Sequence, residues 1–450
     1  MRVNCVQPAH PFEQRFGIDL YSTDQEGVGG KLRARLQDFV VEEITPDGRV
    51  LQVAPQNEVP QPFEVKGERL RFIRFTAQKM GITTLDLATI LASRLRIPRN
   101  LVTYAGLKDK RAITSQAMSV PSSAIQSLPD VSVSRASFRD FEYSRNMVQI
   151  GDLWGNRFTI LLQLSQVPSS DMLNDIRAIS STPLLNYFGV QRFGVTRPFT
   201  HLVGKALVKR DFEGAVRLML TSQSEYEPAD LTEARSKLGE ALRPTEEIIA
   251  CFPEDLRYEI DVMKHLMRKP DDFAGAIERI PPRVQTIFVH ACQSFLFNRT
   301  ISRRASSGMS IVVPSVGDFI ISLDTTHSGR DSWLFVTESN LEERKEMVSE
   351  GRYGLAAPVP GYSTKTPPSP QTDILKEVLS QEGIRLREFR NERSRALDSP
   401  GGLHLVSLTI PDLQVTPEDC GMRRAFSLRK GSYATIVTRE IMKNHPINAV

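Results

Sequence analysis

The sequence predicts an α/β protein of the α+β kind, in which a sheet-bearing domain is interrupted by a largely helical insertion and completed by the last strands. Three observations predict it. Strand-like and helix-like patterns alternate through the first two hundred residues, the pattern turns helical and acidic near residue 205, and strand-like runs resume after residue 402. At roughly 150 residues per domain, 450 residues is about three domain-sized units, enough to bury a core without disulfides or metals.

Leu32–Leu36 and Phe39–Ile44 read as strands across a short break, and Pro46-Asp47-Gly48 supplies a turn. Arg69–Phe75 alternates basic with apolar residues, which predicts a half-buried strand showing its arginines to solvent. A helix should follow, capped by Thr84, with Leu85, Ala88, Leu91, Ala92 and Leu95 at helical spacing and Pro98 ending it. Leu101–Tyr104 is a strand running into Ala105–Asp109. Asn156–Leu164 is another, and Ser170 caps a helix to about Ile179. From about 205 to 270 the chain reads as helical, with Leu231–Leu242 the clearest case. Val284, Ile287, Phe288, Ala291, Phe295 and Ile301 then mark a longer amphipathic helix. Residues 355–370 are proline-rich and read as linker or ordered loop. Leu403–Leu408 and Tyr433–Val437 read as the closing strands, before a short C-terminal helix.

Composition excludes several classes. No apolar run approaches the roughly 20 residues that span a bilayer, and the N-terminus lacks a signal-peptide core, so a cytoplasmic protein is expected. Cys5, Cys251, Cys292 and Cys420 are scattered, as are the seven histidines, so no metal site is expected. The net charge of +4 conceals an uneven distribution. Residues 94–111 carry six basic side chains against one acid, and residues 421–439 carry five against none, a local +5 in each. Residues 225–259 carry ten acids and four bases. Clustered basic charge is the footprint of a polyanion partner, although most charge runs are solvated faces.

Phosphate-loop, dinucleotide-fold and nucleophile-elbow motifs are missing. Three segments stand out instead. In Gly106-Leu107-Lys108-Asp109-Lys110-Arg111-Ala112-Ile113-Thr114-Ser115-Gln116 an acid lies among cations just beyond a strand. Positive neighbours favour the carboxylate form, which suits a nucleophile better than a proton donor. A surface ion pair is the plainer reading. Asn186-Tyr187-Phe188-Gly189-Val190-Gln191-Arg192-Phe193-Gly194 offers aromatics to stack on a base, and Asn186 and Gln191 to read its polar edge. Taken alone, it reads better as a packed turn. Phe426-Ser427-Leu428-Arg429-Lys430-Gly431-Ser432-Tyr433-Ala434-Thr435 again sets an aromatic and cations around a glycine, and otherwise reads as an ordinary strand and turn.

Together, and in this order, these segments resemble the signature segments of the TruD family of tRNA pseudouridine synthases. Asp38–Glu42, Lys79–Thr84, Gly155–Phe158, Gln293–Asn298, Gly317-Asp318 and Pro360–Tyr362 extend the resemblance over nearly the whole chain. The length and the Leu32–Glu43 segment look most like the archaeal branch.

The resemblance implies a pseudouridine-synthase fold with a curved, mixed, mainly antiparallel sheet. Residues 1–209 plus 401–450 would form the catalytic domain, and 210–400 the family's insertion domain. It implies conversion of a uridine in RNA, typically uridine 13 of tRNA, to its C5-glycoside. Asp109 falls at the family's catalytic aspartate. Phe39, Phe188 and Phe426 would line the pocket for an extruded uracil, with Asn186 at its polar edge and Gln191 nearby. Lys108 and Arg192 would steady phosphates or the Asp109 charge, and Lys79 belongs to the same RNA-binding set. The base must leave its stack, which costs a few kcal/mol, so aromatic lining and a basic rim are required. No cofactor is expected, because the exchange occurs within one nucleotide. One departure is visible near Ser399–His404, where many relatives carry a basic residue close to the position of His404. tRNA is the expected partner, without membrane or partner protein, and the chain is expected to be a monomer. The competing readings are an RNA-binding protein of this fold without catalysis, and another RNA-modifying enzyme such as a methyltransferase, which would need a glycine-rich cofactor loop.

Overall fold

The computed structural model describes residues 7–55, 63–239, 242–323, 333–392 and 394–449, so Cys5 and part of the expected Leu231–Leu242 helix lie outside it. Alternation of side chains along Phe39–Ile44 buries Phe39, Val41 and Glu43 on one face. The same period recurs in the other long strands and builds one twisted sheet. Its members in chain order are β1 (Phe39–Ile44), β2 (Phe72–Met80), β3 (Ile113–Pro121), β4 (Ala136–Ser144) and β5 (Gly155–Gln163). A second sheet follows with β6 (Phe319–Ser322), β7 (Trp333–Phe335), β8 (Tyr353–Val359) and β9 (Gly402–Leu405). The chain then returns to the first sheet with β10 (Gln414–Glu418) and β11 (Gly421–Arg429).

The first sheet has eight strands, ordered β10-β11-β5-β1-β3-β2-β4, with Thr103–Tyr104 added on β3. Only β1 and β3 run parallel; the other pairs are antiparallel. β11 lies against β5 over nine register pairs from Gly421↔Gln163 to Arg429↔Gly155. The C-terminal strands thus complete a sheet begun near the N-terminus.

Two cores dominate. One joins Phe39, Phe158 and Phe426 of the large sheet to Tyr187, Phe193, Phe297 and the C-terminal helix. The other lies among the helices of residues 203–397, including Val216, Leu231, Met263 and Leu379. The 25-residue helix Pro282–Ser306 serves both, with Phe297 and Ile301 in the first and Phe288 and Leu296 in the second. Among the described residues no helix is long and apolar enough to cross a membrane.

Several elements differ from the sequence reading, each for a local reason. Leu32–Leu36 is not a strand, because Arg33 takes a left-handed backbone (φ 57°) and Leu36–Asp38 forms a 3-10 turn. The strand expected at Arg69–Phe75 starts at Phe72 and runs on to Met80, burying Lys79. Thr83 and Ser169, one residue earlier than expected, cap their helices by accepting from the backbone N–H groups of Asp86 and Met172. The Leu231–Leu242 helix is Ala229–Leu238.

The proline-rich 355–370 stretch opens as β8, an inner strand of the second sheet, with Leu355, Ala356 and Ala357 buried. Pro358 is tolerated because it lies past the end of β6, whose register stops at Phe319↔Ala356. Leu403–Leu408 is split: Gly402–Leu405 pairs with β8, while Ser407–Leu408 pairs with Leu184–Leu185. Tyr433–Val437 is no strand. Ala434–Met442 is a helix that buries Ile436, Val437 and Ile441, and burial of that face overrides the β-branched run.

Candidate active site

The Asp109 loop between Thr103–Tyr104 and β3 is tied down through its backbone. Thr84 Oγ1 accepts the N–H of Lys108 and donates to Gln116, both at 3.0 Å. Gln116 in turn donates to the carbonyl of Gly106 at 3.2 Å. Lys79, wholly buried, donates from Nζ to the carbonyls of Asp109 (2.7 Å), Ile82 (2.9 Å) and Lys108 (3.4 Å). Burial pushes the Lys79 pKa down to about 8, opposed by the Asp109 charge. Lys108 is also buried, 2.6 Å from Glu43, whose other oxygen accepts the N–H of Ala117 at 2.9 Å. With its backbone held from two strands and a helix, and its Lys108 side chain from a third strand, the loop leaves the Asp109 side chain 42% exposed.

Arg33 meets that side chain. Its guanidinium is 3.2 Å from Asp109 Oδ2 and 4.1 Å from the centre of the Phe39 ring. Burial lowers the Arg33 pKa, and the Asp109 carboxylate opposes that effect. Beneath it an aromatic series continues across the sheet. Phe39 meets Phe158 edge-on at 6.3 Å, and Phe158 stacks on Phe426 at 5.6 Å. Phe39 and Phe426 are each 1% exposed.

A second cluster packs on the same core. The two-residue ladder Leu184–Leu185 with Ser407–Leu408 brings Asn186 beside β9, where its backbone N–H donates to Val406. The buried Asn186 side chain donates from Nδ2 to the Leu405 carbonyl (3.2 Å) and to His404 Nε2 (3.1 Å). Among the described residues its Oδ1 has no partner. The His404 ring stacks on Phe188 at 4.5 Å and meets Phe297 edge-on at 5.0 Å. This setting pushes its pKa down to about 4, desolvation being the main cause, so the ring is neutral at pH 7. Arg192 lies 5.6 Å from the Phe188 ring and 3.4 Å from the Tyr433 hydroxyl. Asn298, buried in the long helix, accepts the Phe188 N–H (2.8 Å) and donates to the Phe188 carbonyl (2.9 Å). Gly189 approaches the neighbouring helix closely: a Cβ there would lie 2.8 Å from Thr435 Oγ1 and push that hydroxyl aside.

Asp109 and Phe39 therefore share one cluster, with Phe426 reached through Phe158. Asn186, Phe188 and Arg192 share the other, and both clusters pack into one core. Gln191 is exposed at the turn. Lys108, expected to steady phosphates or the Asp109 charge, is buried and paired with Glu43, and Lys79, from the expected RNA-binding set, faces carbonyls. Two of the five basic residues of the second segment are internal, and a third is paired at the surface. Arg424 is fully buried, Arg439 is paired with Glu13 and Glu440, and Arg423 pairs with Glu418. Three residues received no role in the sequence reading: Arg33, Asn298 and His404. Arg33 had been read into a strand. Asn298 carried a signal, an amide on the apolar side of an amphipathic helix. His404 was marked only by the departure from relatives at its position, and its contact with Asn186 spans 218 residues.

The family model for tRNA pseudouridine synthase D (TruD) matches residues 15–441. A protein of Methanosarcina barkeri described as a probable tRNA pseudouridine synthase D is 32% identical, covering 97% of this chain and 98% of its own. One so described from Halobacterium salinarum is 31% identical, covering 98% of this chain and all of its own. The crystal structure of the putative tRNA pseudouridine synthase D of Methanosarcina mazei superposes with a TM-score of 0.77 at 30% identity, over 98% of this chain and 100% of that one. The acid loop, the Asn186–Gly194 turn and the split sheet all lie within the matched span, and the chain belongs to the TruD family of tRNA pseudouridine synthases.

Proposed function

We propose that this chain isomerises uridine 13 of tRNA to pseudouridine with Asp109 as the nucleophile. The observation that carries this reading is the exposed Asp109 carboxylate, on a loop whose backbone is fastened by Lys79 and Thr84, beside Arg33 and Phe39. A rigid loop presents a nucleophile without paying reorganisation at the moment of attack. Arg33 neutralises the carboxylate while the site is empty of RNA, and its guanidinium covers the ring on which a uracil would stack.

In the proposed reaction the nucleotide is extruded and a backbone phosphate draws Arg33 off Phe39. Asp109 attacks the sugar or the base as the N1–C1′ bond breaks, the uracil turns, C5 bonds to C1′, and the bond to Asp109 is released to give back the free carboxylate. The C5 proton is lost and N1 gains one, so the product has the mass of the substrate. Nothing external is consumed. Phe188, Phe39 and Phe426 form the aromatic surroundings of the base, Asn186 its polar edge, and Gln191 and Arg192 the rim. Lys79 and Lys108 act by fixing the loop. The reading takes residues 1–209 with 401–450 as the catalytic domain and 210–400 as the insertion, in a monomeric, cytoplasmic enzyme.

Primer extension after carbodiimide treatment of an unmodified tRNA transcript tests the proposal. Incubation with the protein should create an adduct stop at position 13. If the transcript shows no stop, the synthase reading is wrong and RNA binding without catalysis takes its place.

A further inference from the structure

Asn186 is fully buried, and both of its amide hydrogens are already used. The Leu405 carbonyl can only accept, so Nδ2 must face it, and His404 Nε2, 3.1 Å from the same nitrogen, must then also be an acceptor. That fixes the neutral His404 ring as the Nδ1–H tautomer. It also leaves Oδ1, on the other side of the amide, as a buried acceptor without a partner among the described residues. A buried acceptor in this condition is costly unless a ligand satisfies it. The same His404 ring lies against Phe188, so one side chain braces both the amide and the aromatic beside it.

We propose that Asn186 and His404 together discriminate uracil from cytosine. His404 is a positioning residue: with the Leu405 carbonyl it holds the amide so that Oδ1 accepts from the N3–H of uracil. Cytosine has a lone pair at N3, which would face Oδ1 and leave two acceptors unpaired. This inference rests on the reading of the site as a uridine pocket, and adds how the base is selected.

The test uses the full chain carrying Asp109→Asn, so that no turnover occurs, and tRNA transcripts differing only at the target nucleotide. Uridine should bind about tenfold more tightly than either cytidine or N3-methyluridine, the effect of one buried hydrogen bond. His404→Gln keeps an acceptor for Nδ2 and should retain that preference. His404→Lys sets a donor there, draws Oδ1 round, and should bring uridine and cytidine within about twofold, the discrimination of one hydrogen bond being lost. Equal binding of N3-methyluridine and uridine RNA by the His404 protein overturns the proposal without any change at position 404, even if the lysine variant fails to fold. So does a folded lysine variant that keeps the preference, or a glutamine variant that loses it. Conversion of uridine by the unmodified protein is read separately, so loss of discrimination with conversion intact sinks only this inference.

Discussion

Arg33 reaches Asp109 across 3.2 Å from a left-handed backbone, and the same guanidinium lies 4.1 Å from the centre of the Phe39 ring. One cation therefore occupies both the charge partner of the proposed nucleophile and the face of the proposed stacking ring. Asp109→Asn should abolish pseudouridine formation while tRNA affinity stays within a few-fold. Arg33→Ala removes the cation proposed to meet a phosphate and should weaken tRNA binding by about tenfold to a hundredfold, the loss of one hydrogen-bonded charge contact, with a smaller effect on kcat. Single-turnover assays with binding measured by filter retention check both; substantial turnover by the asparagine variant contradicts the nucleophile assignment.

Glu43 and Lys108 form a buried ion pair at 2.6 Å beneath the acid loop. Glu43→Leu leaves the ammonium uncompensated and should destabilise the protein by about 3–5 kcal/mol. Adding Lys108→Met should recover much of that loss. Urea unfolding of the single and double variants measures it, and equal stability of the two would show that the pair is not coupled.

Lys79→Met removes the donor to three carbonyls of the loop and its approach. The expected cost is about 1–3 kcal/mol of stability, with kcat falling further than tRNA affinity because Asp109 loses its backbone anchor. A fall in affinity with kcat unchanged would mean instead that Lys79 meets RNA directly.

His201 is buried among Phe16, Phe193 and Phe295, with Nδ1 unpartnered among the described residues and its pKa pushed down to about 4 by burial. In the unfolded chain it titrates near the ordinary imidazole value of about 6.5. Between those values the unfolded state binds more protons, so stability is complete above about pH 6.5 and falls as pH drops towards 4, on the order of 3 kcal/mol. Denaturant midpoints at pH 7 and pH 5 should show the fall, and His201→Phe should reduce it, with the similarly depressed His404 supplying part of what remains.

Binding should weaken steeply with salt through counterion release. Lys110 and Arg111 are exposed beside Asp109, whereas Arg424 and Arg439 are buried. Lys110→Gln or Arg111→Gln should each lower the slope of log Kd against log salt by about one. An unchanged slope in both variants would place the phosphates elsewhere.

Most of the strand pattern of the large sheet was legible in local periodicity, because one face of each strand is buried and the other is not. Asp109, Asn186 and Phe188 were legible through motifs whose residues are contiguous in the chain. The long helix was too, since its apolar spacing persists for several turns. The net positive charge of residues 421–439 was legible only as a count. A count cannot distinguish Arg439 held between Glu13 and Glu440 from an arginine free to meet phosphate, because those carboxylates come from another part of the chain and from the next residue.

By itself, then, the sequence determined the alternation of elements, the insertion, the family, and the acid on which the proposed chemistry turns. Tertiary structure alone decided which cations are spent internally, that Arg33 covers Phe39, and that His404 meets Asn186. Periodicity and motifs report interactions between near neighbours in the chain. Arg33 and Phe39 lie 6 positions apart, Asn186 and His404 218, and Arg439 and Glu13 426, and only packing decides whether such groups meet or whether water reaches them.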